Sequence, residues 1–506
     1  LLIILVAIPK LALTIIYKNS VSLIYNLIYI LIMKNNHFKY LLTLSICFYS
    51  FTVFSQKEVK NKISDFGTLM PIESASIYVQ NTTIGTVSNA DGKFVLLVPI
   101  QFENDTLVIS SIGYRSFKTP VNEFDNSQEI YLEEDIAALD EIVLIAENRP
   151  TTANDIVLRS LERLSVNMPD MPYLQKGFLR HKERNRREFK WLIESAITLY
   201  DSSYGSSSAS NLKINVDQVR KSYDLRDVDS LLTYTAYLKE KSNRRNLLAR
   251  NLRRDTIKTS TLVKAIKWND TRINGLQNLF ESKLNVFRNV NNNRALFGED
   301  ILDRHQFRLD TILVDDDRKI YKIEISESHK FINLETKGIY NDGYHAKGWL
   351  YIYYDNYAIK KLEYELVAAS DAQKSRSKTL FDTKVNHKII MTFREYQDRM
   401  YPNYLYYETP KLVNVGYKPT KPGEVIEPDA NTDERFYYTV QELLFTEIIL
   451  DPEQIELALS QPWDPDIFAV KPYDRSFWRN YNTLLESEED EKLIQDLTKR
   501  SSLFKD

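Results

Sequence analysis

Of the six histidines in the chain, five follow residue 55, namely His181, His305, His329, His345 and His387. Each could serve as a metal ligand or a general base. A hydrolytic zinc site of the His/Glu type needs a carboxylate presented beside its histidine. None of the five has a Glu three residues on, and no H-E-x-x-H occurs. His329 and His345 could meet across a sheet, but isolated strand histidines are as a rule hydrogen-bonded surface residues. Serine chemistry lacks its G-x-S-x-G turn, and Gly205-Ser206-Ser207-Ser208 reads as a loop without the support a nucleophile needs. Gly343 and Gly348 have the spacing of a phosphate loop, but Trp349 stands where a Lys is required. Glu363 and Glu365 share a strand face, where Lys361-Glu363-Glu365 beside Leu362, Tyr364 and Leu366 describes the outer side of a sheet. Cys47, the only cysteine, is followed by an apolar run to Phe54, and Ile46 before it argues against lipidation. No enzyme motif emerges, and no metal or other cofactor is expected.

The elements that carry these residues are mostly strands. With 506 residues, the prior is about three domains at roughly 150 residues each. Hydrophobic content of 43% and charged content of 27% are globular values. The 32 Tyr and 23 Phe favour a pleated, half-buried surface. From 57 to 145, Ala75, Ile77 and Val79 alternate with polar residues, as do Phe94, Leu96 and Val98. Asn89-Ala90-Asp91-Gly92 is a turn in which Gly92 supplies a positive φ, and Gly113-Tyr114 interrupts another strand with a bulge or close approach. Short strands at Leu107–Ile109, Ile130–Leu132 and Ile142–Leu144 complete a sandwich.

Within that segment Pro71–Ile77, Gly85–Phe94, Ile109–Tyr114 and Leu139–Val143 occur in order. Together they resemble the carboxypeptidase-regulatory-like domain, a prealbumin-type β-sandwich common in exported proteins of Gram-negative envelopes. The resemblance implies that Gly85, Asp91, Gly92, Phe94, Gly113 and Tyr114 are structural motif residues, and it implies an accessory module rather than a peptidase. In nutrient receptors of the outer membrane such a domain precedes a plug and a barrel of about 22 strands. The remaining residues are expected to be too few for that, so a receptor is not expected. The C-terminal part resembles the end of uncharacterised envelope proteins that bear the same N-terminal domain.

Thr152 or Asn154 can cap a helix within 146–171, which Met168-Pro169 ends. From 172 to 450 an α+β domain is expected, with a long, curved antiparallel meander. Phe189, Trp191, Ile193, Ser195, Ile197 and Leu199 should line one face of a strand, with Lys190, Glu194 and Thr198 on the other. Phe307, Leu309, Thr311 and Leu313 should face one way, and Asp315–Asp317, Asp355-Asn356 and Asp398 mark hairpins. Helices near 228–254 and 260–290 should cover one face. The Pro- and aromatic-rich tail, 451–506, should strap onto the sheet and end in a short acidic helix. The overall class is mainly β with α insertions. Trp349, Tyr351 and Tyr353 oppose Leu350, Ile352 and Tyr354, so that strand is apolar on both faces. Either the tail covers the second face, or part of it is a ligand groove for an acyl chain or partner segment. In outline only, such a plan resembles the half-barrel of periplasmic lipid carriers.

Before residue 56 the pattern is one of export. Lys34, His37 and Lys39 form a basic region, Leu41–Phe54 an apolar one, and Ser55 a cleavage position, so 33–55 reads as a signal peptide. Residues 1–32, which precede the first Met, read as an upstream translation. Four lysines and no acid precede residue 56, which leaves 62 basic against 69 acidic residues after it. An acidic body is a poor nucleic-acid partner. Arg244, Arg245, Arg250, Arg253 and Arg254 read as the solvated face of a helix. The expectation is a non-catalytic exported envelope protein, periplasmic or associated with the outer membrane, without a transmembrane helix in its mature chain. It would bind an envelope protein, a glycan or a lipid. The alternative is an exported hydrolase with a dispersed active site, and an adhesin-like surface role is a third reading.

Overall fold

Alternation of apolar and polar residues builds the first module. In this computed structural model its strands are β1 (Gln56–Asp65), β2 (Ser76–Val79), β3 (Gly85–Val87), β4 (Lys93–Pro99), β5 (Thr106–Ser110), β6 (Phe117–Pro120) and β7 (Ile130–Leu132). They form two sheets, β4-β1-β7 and β3-β2-β5-β6, with β1 and β7 parallel. Ile77, Val79, Phe94, Leu96, Val98, Leu107 and Ile109 are buried between them, as the period of two requires. The structure describes residues 56–135, 150–184, 189–204, 212–223, 231–242, 256–283, 286–287, 296–298, 300–336, 339–381, 385–411 and 437–498. The export segment with Cys47, the strand at Ile142–Leu144, Ser206–Ser208 and the arginines at 244–254 lie outside them.

The second module is one antiparallel sheet of 11 strands. These are β8 (Tyr173–Arg184), β9 (Phe189–Asp201), β10 (Lys213–Tyr223), β11 (His305–Asp315), β12 (Arg318–Glu327), β13 (Ile332–Thr336), β14 (Ile339–Tyr353), β15 (Ile359–Ala368), β16 (Val385–Tyr396), β17 (Arg399–Lys411) and β18 (Tyr437–Ile449). The order β10-β9-β8-β18-β17-β16-β15-β14-β12-β11 joins two meanders along β8 and β18, and β13 pairs with β14 off that path. Between the meanders the chain forms helices Leu231–Ser242 and Thr259–Asn274 and a π-helical turn at Leu279–Lys283. Ile266, Leu276, Leu279, Phe280, Phe287 and Phe297 bury one face of the sheet against Ile193, Ile323, Leu362 and Phe393. The expected helical cover is therefore present. The described residues of Glu58–Val98 and Phe102–Asp506 form one compact unit. No helix among the described residues is long and apolar enough to cross a membrane.

Local signals fare well where they act locally. Thr152 caps Ala153–Glu162 by accepting from the Asp155 amide at 3.1 Å. Asp316-Asp317 and Gln397-Asp398 hold positive φ at both central residues, the requirement of a two-residue hairpin that matches the twist of its strands. Two expectations need correction. Thr311 and Leu313 do not share the face of Phe307 and Leu309, because a register shift between Leu309 and Thr311 puts Ile312 inward instead. Asp355-Asn356 is part of a longer connection with Tyr357 at φ 61°, closed by Asn356 accepting from the Ala358 amide. As expected, Glu194 is on the face opposite Ile193, and there it is fully buried. Among the longer helices of the described residues, Asp371–Phe381 and Pro452–Leu459 went unanticipated. The latter has Asp451 as cap and Pro452 in its first turn, a legible start.

Candidate functional site

The motif residues of the sandwich hold its turns, and several also reach the second module. Asn89 Oδ1 accepts from the amides of Asp91 at 3.0 Å and Lys93 at 2.9 Å, which closes the turn. Gly92 has φ 74°, and a Cβ there would run into the Ile63 carbonyl. Asp91 Oδ2 accepts from the Glu488 amide at 2.7 Å, so a turn in the sandwich caps a C-terminal helix, Glu488–Thr498. Phe94 is buried edge-on to Phe124. Gly113, at φ 88°, sits in a turn and donates its amide to the Val314 carbonyl at 2.8 Å, on the hairpin of β11 and β12. Burial, with Asp65 as hydrogen-bond partner, pushes the Tyr114 phenol up to about 12. Gly85 lets the Arg394 guanidinium of β16 approach, since a Cβ would lie 2.7 Å from Nη1. Arg394 Nη2 donates to the Thr83 carbonyl at 2.6 Å, and burial pulls its pKa down to about 10.

The outer face of β8, β9, β17 and β18 is where the modules and the tail meet. Phe178, Ala196, Tyr404 and Leu444 pack there with Val87 of the sandwich and with Trp478 and Leu484 of the tail. Arg180, 2% exposed, lies at their centre. It donates to Glu194 at 2.9 Å, to Glu486 at 3.0 Å and to the Leu484 carbonyl at 2.7 Å. Arg220 binds the other oxygen of Glu194 at 2.6 Å and stacks 4.5 Å over the Trp478 ring. Lys182 bridges Asp490 and Glu442, both at 3.1 Å. Burial alone would lower the pKa of Lys182, but Glu442 and Asp490 outweigh it and hold the ammonium above its ordinary value. On Glu486 burial wins over Arg180 and the carboxyl is raised. From the sandwich, Asn89 Nδ2 donates to the Glu486 carbonyl at 2.9 Å, Lys93 pairs with Glu488 at 2.9 Å, and the Leu97 amide donates to Asn482 at 2.8 Å. A small polar cavity of about 160 Å³ remains beside this clamp, lined by Glu73, Asn89, Lys182, Arg184, Glu442 and Asp490 among others.

Sequence patterns gave no role to Arg180, Lys182, Arg220 or Glu486, and placed Asn89 and Asp91 only in a turn. The one trace of the clamp was Glu194, a charged residue on a strand with Leu192 and Ala196 on the same side, and both of these are also buried.

Trp349, Tyr351 and Tyr353 form a row on the outer face of β14, while Leu350 and Ile352 point into the helix-covered core. The row is not an open apolar trough. Lys322 Nζ lies 4.0 Å over the half-buried Trp349 ring, and Lys361 stands 5.7 Å from the buried Tyr351 ring. The Arg318 guanidinium covers buried Tyr353 at 3.8 Å, while its hydroxyl donates to Asp315 at 2.6 Å. The cause is register: Lys322 and Lys361 flank Tyr351, and Glu324 and Glu363 flank Trp349. Each ring face therefore meets a cation, an attraction of about 0.5–2 kcal/mol.

The histidines lie apart. His181 Nε2 is 3.1 Å from Asp270, both fully buried, with Trp191 stacked on the imidazole. His305 bonds the Ile301 carbonyl at 3.0 Å and the Tyr364 hydroxyl at 2.8 Å, and burial pulls its pKa down to about 4. His345 faces Glu327 at 3.8 Å, and His387 meets Tyr407 at 3.0 Å. Among the described residues no three His, Cys, Asp or Glu side chains converge as a metal site would require. Gly343 and Gly348 both belong to β14 rather than to a phosphate loop.

Residues 59–144 match the CarboxypepD_reg-like domain, so the module that four motifs suggested is present in this chain. A stretch of 116 residues is 32% identical to the TonB-dependent receptor SusC of Bacteroides thetaiotaomicron, covering 22% of this chain and 11% of the receptor. The chain thus spans about a tenth of that relative's length. Among solved structures, a LolA superfamily protein from Nitrosomonas europaea aligns over 60% of this chain and 97% of its own, with 10% identity and a TM-score of 0.21.

Proposed function

We propose that this chain is a non-catalytic docking protein of the cell envelope, in which the large sheet is a rigid support for the carboxypeptidase-regulatory-like sandwich. The observation that carries this reading is the buried clamp around Arg180. Interfaces between modules are by default loose and permit relative motion. Here a buried guanidinium, its two carboxylates, the hydrogen bonds that Asn89 and Leu97 donate and the one that Asp91 accepts from the Glu488 amide knit sandwich, tail and sheet together. A satisfied buried network of that kind resists rearrangement, because each group it frees would be a desolvated polar atom. A sandwich held this firmly is suited to presenting a surface to a partner.

The match at 59–144, the similarity to a segment of a TonB-dependent receptor and the export pattern at 33–55 support an envelope location, in the periplasm or at the outer membrane. The partner classes are an envelope protein, a glycan or a lipid. The fully buried pair of His181 and Asp270, the latter on helix Thr259–Asn274, is closed to a substrate. Fractionation of the tagged chain, combined with photo-crosslinking from the sandwich surface in intact cells, tests the proposal. Envelope recovery with discrete crosslinked products is expected. Recovery in the cytoplasm, or hydrolysis of ester, peptide or glycoside probes that is lost in His181→Ala, would overturn it.

A further inference from the structure

Among the described residues the sandwich is open along one side. β6 is the edge of its four-stranded sheet and β7 the edge of its three-stranded sheet. Between them runs a groove of about 500 Å³. Its floor continues the core: Phe124 packs edge-on to Phe94 within and to Phe117 at the rim. The apolar surface is unusually open for a folded module, with Phe66 62%, Tyr131 44% and Phe117 38% exposed. One end is closed by the bridge between Tyr114 and Glu134 and by the Arg115 amide on the Glu133 carbonyl. The rim is acidic, since Glu123, Asp125, Glu129 and Glu133 line it against one cation, Arg115.

We propose that this groove takes an extended, basic segment of a partner protein, which adds as a strand to the edge of β6 and lays alternate apolar side chains on Phe117, Phe124 and Tyr131. An edge strand offers a row of backbone donors and acceptors, which an extended chain completes while alternate side chains supply specificity. Sheets packed about 10 Å apart leave room between their edges for the side chains of such a strand. Charge selects among occupants. A second copy would set one acidic rim against another, and an anionic lipid surface would be repelled, whereas Lys or Arg would pair with Glu123, Asp125 and Glu129. The inference deepens the docking role proposed above and rests on it for the partner, while the groove's chemistry is tested separately.

The probe is a capped, fluorescent ten-residue peptide alternating Val and Lys, titrated into the full chain by anisotropy. Binding at least tenfold tighter than that of the Val/Glu counterpart is expected, and N-methylation of the Lys residues should abolish it. Glu123→Lys with Glu129→Lys should weaken it at least tenfold, as should Phe117→Ser, with melting temperatures that verify folding. Glu453→Lys with Glu456→Lys, on exposed positions of helix Pro452–Leu459, should leave it unchanged. The proposal is overturned by absent binding, by equal affinity for the Val/Glu peptide, or by indifference to the groove variants. A dimer in sedimentation that Phe117→Ser dissolves would make a second copy the occupant. Co-sedimentation with phosphatidylglycerol vesicles that the same variant abolishes would make it lipid, and either result sinks the proposal. A silent groove in a chain that still crosslinks in the envelope defeats only this inference. Peptide binding by a chain recovered in the cytoplasm defeats only the envelope role.

Discussion

Adding a methyl group to Gly92 would place it against the Ile63 carbonyl, in a backbone conformation that L residues rarely adopt. Gly92→Ala should therefore cost about 1–3 kcal/mol, read as a lower urea midpoint at unchanged m-value. An unaltered midpoint would mean that the turn relaxes freely. His305 makes a prediction in pH. Its folded pKa of about 4 is below the ordinary value of about 6.5, so the unfolded chain binds the extra proton between these values. The contribution to stability is complete above pH 6.5 and falls with acidification towards pH 4, by at most about 1.4 kcal/mol per pH unit. His305→Gln should flatten that part of the urea-midpoint profile, and an unchanged slope would assign it to other groups. At this scale the sequence was readable where the reason is local. Asn89 and Gly92 close a turn with their immediate neighbours, whereas the second role of Asp91 depends on a backbone amide 397 positions away.

Strand β9 shows how far alternation carries. Trp191, Ile193, Ile197 and Leu199 are buried on the helix-covered side, as their period requires. The opposite side carries Glu194, and a period of two would assign such a residue to solvent. It is buried because the tail lies over it and Arg180 and Arg220 neutralise it. Arg180→Met should destabilise the chain by about 3–5 kcal/mol, because it strips a partner from Glu194 and Glu486 in a desolvated place. The same variant should expose residues 460–487 to limited proteolysis before the sheet is cut. Uniform proteolysis would show that the tail is held by other contacts. Leu313 shows the opposite failure: one register shift exchanges the faces of everything beyond it, and no residue type in Leu309–Thr311 announces it.

For the molecule as a whole, sandwich and sheet should unfold together. The Gly85–Arg394 contact, the Gly113 bond to Val314 and the cap from Asp91 are distributed over separate places on the sandwich. Calorimetry of the wild type should give one transition. Gly85→Leu combined with Asp91→Ala should split it, with the sandwich melting apart from the sheet, and a persistent single transition would show that the coupling lies elsewhere. Composition and period determined much by themselves: a β-rich chain, a first module of short alternating strands joined by turns, an antiparallel meander and a block of helices set apart for one face. Those features follow from the chain's local geometry, in which side chains alternate at fixed intervals and turns need particular residues. The tertiary structure alone decided that β8 and β18 zip two meanders into one sheet, that Trp349 lies under a lysine, and that Arg180 is a buried hub. It likewise decided that Phe117 and Tyr131 line one groove at the edge of the sandwich. Each of these depends on which distant segments share a surface, and the burial of a charge or the exposure of a ring is a property of that pairing, not of the residue.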